Sequence, residues 1–126
     1  MRRLLVTAVA ALSAAPLALA ATPSAQAGCW ATVKLSSMPS GLVWNVKVTP
    51  LQHGRTTLPD AKPRIEIRRG KARWRVFAAR PAAKRGVYRA RVVFPAAGTW
   101  RLRVWDGFEP HCARYHTYAP VTVSDI

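Results

Sequence analysis

The chain has 126 residues and carries 20 Lys and Arg against five Asp and Glu, a formal charge of +15. The five acids, Asp60, Glu66, Asp106, Glu109 and Asp125, are scattered over different segments, and no Gly-x-Ser-x-Gly elbow, glycine-rich phosphate loop or CxxC pair occurs, so the composition points away from an enzyme. Such a balance favours anionic partners, although a GC-rich coding sequence inflates arginine, alanine and proline in the same way.

Arg2 and Arg3 precede an apolar stretch over 4–20, and Ala25-Gln26-Ala27 forms a small-x-small cleavage site. Residues 1–27 therefore read as a cleavable signal peptide, and residues 28–126 as one secreted or extracytoplasmic domain, too short for two independent cores. No other stretch is long enough to cross a bilayer as a helix, so the mature chain is expected to lack a transmembrane span. Lipid anchoring at Cys29 calls for a leucine-like residue three positions earlier, where Gln26 stands. Cys29 and Cys112 are the only cysteines, and a pair in an exported domain is usually bridged, so a Cys29 to Cys112 disulfide is expected.

Beyond the cleavage site apolar residues alternate with period two, and no segment keeps a helical period. A first strand is predicted over 30–36, with Ala31, Val33 and Leu35 on one face. The turn 38–41 leads to a second over 42–49, placing Leu42, Trp44, Val46 and Val48 together until Pro50 ends or bends it. Residues 51–63 read as a long connection with at most a short edge strand. Ile65 and Ile67 face inward from a strand over 64–69, Gly70 turns the chain, and Ala72, Trp74 and Val76 face inward from 71–79. After a polar break over 81–86, the segment 87–94 buries Tyr88, Ala90, Val92 and Phe94, and 99–105 buries Trp100, Leu102 and Val104. A last strand runs over 115–124, with Pro120 confining part of it to an edge or bulge. About seven strands with turns every ten residues or so predict an all-β, immunoglobulin-like two-sheet sandwich whose core holds Trp44, Trp74 and Trp100.

The run over 86–104 has the form G-x-Y-x-A-x-V-x-F-P-x-x-G-x-W-x-L-x-V. It resembles the signature of the YtkA-like and FixH-like exported immunoglobulin-like sandwiches of bacteria. The resemblance implies a small extracytoplasmic domain in which Gly86 sets a turn and Tyr88 and Trp100 pack across the sheet. Some relatives of that type are encoded near copper or respiratory machinery. Copper carriers of the related CopC type use a histidine at the mature N-terminus, where this chain has Gly28-Cys29.

His53, His111 and His116 are the only histidines, and His111-Cys112 followed by His116 has donors that suit copper or zinc. A bridged Cys112 has no thiolate to give, which leaves two imidazoles needing His53 or Met38 from elsewhere. Extracytoplasmic copper binding or delivery is thus the alternative to the main reading, and no cofactor is expected. The positive constellation is arginine. Arg64, Arg68, Arg73, Arg75, Arg89, Arg91, Arg101 and Arg103 all take the outward register of four consecutive predicted strands, and form one anion-binding face if those strands share a sheet. Few aromatics interleave with them, Phe77 and Trp105 being the exceptions, so nucleic acid is not expected. An anionic envelope polymer, a lipid surface or an acidic protein fits the compartment, and the expected role is a binding or structural one without catalysis.

Overall fold

The computed structural model describes residues 30–108 and 112–126. The expected signal segment 1–27, Cys29 and His111 lie outside the described residues. Ten strands and no helix appear among the described residues: β1 (Ala31–Leu35), β2 (Val43–Gln52), β3 (Thr56–Thr57), β4 (Arg64–Arg68), β5 (Arg75–Ala78), β6 (Arg80–Pro81), β7 (Tyr88–Val93), β8 (Gly98–Trp105), β9 (Tyr115–Thr117) and β10 (Val121–Val123). They form two antiparallel five-stranded sheets. The first has the order β1-β2-β7-β6 with β3 also on β2, and the second has the order β10-β8-β4-β5 with β9 also on β8. The chain is an all-β two-sheet sandwich, as the alternation predicts.

The inward positions of β2, β7 and β8 follow the sequence pattern residue by residue. Trp44, Val46 and Val48 are buried opposite Val92, Ala90 and Tyr88, and Trp100, Leu102 and Val104 line the second sheet with Ile65 and Ile67. Each large side chain taken fully out of water contributes about 1.5 to 3 kcal/mol. Phe94 meets Trp100 edge to face at 5.7 Å between centroids. The polar ends of the buried aromatics are answered: Trp44 Nε1 donates to Ser37 Oγ at 2.9 Å, Trp100 Nε1 to the Ala96 carbonyl at 3.0 Å, and the Tyr88 hydroxyl to the Leu58 carbonyl at 2.9 Å.

Three features depart from the sequence pattern. Pro50 does not end its strand. It is buried within β2 opposite Val33, in the gap between the stretch that β7 pairs, up to Val48, and the stretch that β3 pairs, from Leu51. A residue without an N–H fits such a gap. The expected last strand divides into β9 and β10, both on β8 but at opposite ends of it.

The third departure reverses a face. The Ala72 N–H bonds back to the Arg69 carbonyl at 3.1 Å, so the turn consumes residues that the alternation assigns to a strand, and β5 begins only at Arg75. Its register then pairs Phe77 with Ile65 and Val76 with Glu66, so Phe77 packs against the core and Val76 is 54% exposed. A slip of one residue in a period-two pattern turns every side chain over. Trp74 is therefore not a core residue.

β5 belongs to the second sheet and β6 to the first, with Ala79 alone between them. This crossing is pinned by the Ala79 N–H, which donates to the Pro63 carbonyl at 3.0 Å.

Candidate functional site: two cationic faces

The eight arginines of the sequence pattern do not share one face. β4, β5 and β8 lie in the second sheet and β7 in the first, so Arg64, Arg68, Arg101 and Arg103 stand on one outer surface of the sandwich while Arg89 and Arg91 stand on the other. Arg73 lies in the connection before β5, and Arg75, paired with Ile67, has inward parity on an edge strand and reaches solvent there. Alternation tells which side of a strand a residue takes. It does not tell which sheet the strand joins.

On the second sheet Arg64 and Arg103 are answered from within the protein, whereas Arg68 and Arg101, directly opposite each other, take part in none of the described ion pairs. Glu66 has outward parity, directly opposite Arg103, yet it is only 2% exposed because larger side chains close over it. Arg103 Nε and Nη2 donate to Glu66 Oε1 at 2.9 and 2.7 Å, Arg64 Nε donates to Oε2 at 2.7 Å, and the Tyr115 hydroxyl donates to Oε2 at 3.1 Å. Burial alone raises a carboxyl pKa. Here the bonds from Arg64, Arg103 and Tyr115 outweigh it and hold Glu66 below its ordinary value. Its own bond to Glu66, with a second from Arg64 Nη2 to the Tyr115 hydroxyl at 3.1 Å, holds Arg64 above its ordinary value against the opposing effect of burial.

Aromatic rings complete this surface. Arg103 lies 3.9 Å from the Trp74 centroid and 3.8 Å from that of Tyr115, Arg68 lies 4.8 Å from Trp74, and Arg64 lies 4.9 Å from Trp105. Trp105 and Tyr115 are themselves 4.8 Å apart. The outcome is an alternating stack of cations and rings over the sheet, each contact of this kind contributing about 0.5 to 2 kcal/mol. Trp74 and Tyr115 thus interleave with the arginines, which the linear pattern did not reveal.

The first sheet presents the opposite case. Lys47 on β2 stands directly opposite Arg89 on β7, and Arg89 stands directly opposite Arg80 on β6. Three cations therefore form an in-register row across three strands, with Arg91 two residues further along β7, opposite Asn45. Like charges at this distance destabilise a sheet. Among the described residues, none of the ion pairs involves Lys47, Arg80, Arg89 or Arg91. The row borders an open groove of about 940 Å³, whose lining includes all four cations with Phe77, Ala78 and Pro81 and contains no acidic residue. Lys47 and Arg80, the outer members of the row, were outside the eight arginines picked from sequence. Only strand pairing brings them together.

The remaining candidates separate. His53, at a left-handed φ of 53° in the turn after β2, has its ring 6.1 Å from that of Trp30. His116 is on β9, its Nε2 2.8 Å from Oδ2 of the fully buried Asp106. The other Asp106 oxygen accepts from the Phe108 and Arg114 N–H groups at 3.1 and 3.2 Å, so this carboxylate shapes the turn that follows β8. Among the described residues no three His, Cys, Asp or Glu side chains gather as a metal site. Cys112 packs against the core, its N–H bonded to the Phe108 carbonyl at 3.1 Å, while its expected partner Cys29 lies outside the described residues. No described helix is long and apolar enough to cross a membrane.

In comparisons with known proteins, the chain matches no family model, no curated protein and no solved structure.

Proposed function

We propose that the chain is an extracytoplasmic, immunoglobulin-like binding domain that holds an anionic envelope component against the outer face of its first sheet and has no catalytic role. The observation that carries this reading is the row Lys47, Arg89, Arg80, in which like charges stand directly opposite one another with no carboxylate beside them. The contrast lies within the same molecule. Arg64 and Arg103 of the second sheet are matched by Glu66 and by rings, and Arg68 by the Trp74 ring, with Arg101 alone opposite it. By contrast, none of the three cations of the row has a described ion pair or ring contact, and the row is left for a ligand to neutralise.

The test is binding of polyphosphate by the purified chain across a salt series. Affinity should fall steeply toward physiological ionic strength, where exposed charges are screened over about 8 Å. Replacing Lys47, Arg80, Arg89 and Arg91 together with Ser should remove binding and leave the fold intact. The comparison set, Lys34, Arg55, Lys62 and Lys84 to Ser, has the same charge change on exposed positions elsewhere. Equal losses from the two sets would show that total charge alone is at work and would end the proposal. Copper titration followed by absorbance separates it from a metal-carrier role.

A further inference from the structure

The groove beside the row has an apolar wall as well as a cationic rim. β6 covers only Tyr88 and Arg89 of the β7 edge, so from Ala90 onward that edge has no strand partner among the described residues. Across from it runs β5, the edge strand of the other sheet, which contributes Phe77 and Ala78 to the groove lining. Phe77 is half-buried, and Ala78 and Pro81 are exposed. The two sheets thus leave a seam between their edges, apolar within and basic along one lip.

Building on the anion-binding reading above, we propose that the occupant of this groove is a single phosphate-headed amphiphile, its head on Lys47, Arg80 and Arg89 and its tail along Phe77, Ala78 and Pro81. Size supports one compact head. Neighbouring strands are about 4.8 Å apart, so the row spans only about 10 Å, and Arg91 adds about 7 Å along β7. That footprint matches one or two phosphate groups, whereas an extended polyanion is served by a stripe running the length of a face. Volume supports one small ligand, because sites for such ligands enclose roughly 300 to 1,000 Å³. Chemistry supports a tail. A wholly polar anion gains nothing from Phe77 and Pro81, while a hydrocarbon chain laid against them leaves water. The same head chemistry occurs in free phosphate and in lipids, and chain length tells the two apart.

The experiment is calorimetric titration of the purified chain with inorganic phosphate, then methyl, butyl and octyl phosphate below their micellar concentrations, with tripolyphosphate as the tail-free polyanion. Each fully buried methylene should tighten binding about fourfold, so butyl phosphate, three methylenes longer, should bind roughly fiftyfold more tightly than methyl phosphate if its chain is fully buried, and at least about tenfold if the chain is partly exposed. The variant carrying Lys47→Ser and Arg89→Ser should weaken every member of the series by a similar factor and preserve the dependence on chain length. Equal affinity for methyl, butyl and octyl phosphate overturns the amphiphile. If tripolyphosphate nevertheless binds and the double variant abolishes that binding, the anion-binding reading stands without it. If the double variant binds the whole series as the parent does, both fall.

Discussion

Glu66 and Arg103 face each other across the β4–β8 ladder, and the guanidinium closes on the carboxylate with two hydrogen bonds of 2.9 and 2.7 Å to the same oxygen. The carboxylate is buried on a surface that alternation assigns to solvent. Its ionisation is therefore coupled to the folded state.

This coupling has a defined sign. Glu66 titrates below its ordinary value of 4.5 in the folded protein, so its contribution to stability is fully present above that value and is lost as pH falls through the lower folded value. The melting temperature of Glu66→Gln should lie below that of the parent at neutral pH, and the gap should narrow as the solution is acidified below about pH 4.5. A gap that stays constant down to pH 2 would show that the carboxylate is not coupled in this way.

Two tryptophans should separate sharply on truncation. Trp100→Ala opens a cavity between the sheets and should cost about 3 to 5 kcal/mol in denaturant unfolding. Trp74→Ala removes the ring between Arg68 and Arg103 and should cost only about 1 to 2 kcal/mol. Similar losses in the two variants would return Trp74 to the core and overturn the β5 register.

These two residues also show how far the sequence can be read. Trp100 sits in the middle of an unbroken alternation with Leu102 and Val104, so its inward parity follows from period two. Trp74 falls where the turn after β4 takes up extra residues, and nothing in the local pattern marks where a turn ends and a strand begins. The sheet assignments of β4, β7 and β8 depend on pairing between distant segments, which explains why Arg89 and Arg101 share a parity in the sequence and stand on opposite surfaces of the protein. Glu66 reads as an ordinary exposed acid. It is buried because Trp74, just past the next turn, and Tyr115, from far along the chain, hold Arg103 over it.

The row on the first sheet should behave as a stored repulsion. Arg89 stands between Lys47 and Arg80, so Arg89→Gln should leave stability unchanged or raise it by up to about 1 kcal/mol at low ionic strength, with the difference vanishing at high salt. The same substitution should weaken anion binding. A loss of stability larger than about 1 kcal/mol would mean that Arg89 makes a favourable contact in the folded state.

The thiols offer a test independent of charge. On the proposal that the chain is exported and cleaved after Ala27, the intact mass of the mature product should correspond to a chain beginning at Gly28 and lacking two hydrogens. A Cys29 to Cys112 bridge closes a loop of more than 80 residues, and its reduction should lower stability by about 4 kcal/mol on chain-entropy grounds. Labelling of both cysteines under native oxidising conditions would rule the bridge out.

Asp106 ties together three parts of this end of the molecule. Its carboxylate gathers the Phe108 and Arg114 amides and the His116 ring, and the Phe108 carbonyl in turn receives the Cys112 amide, so hydrogen bonds run from one buried carboxylate to the residue that carries the sulfur. Loosening that carboxylate would therefore disturb β9, through the His116 ring, and the backbone at Cys112 together.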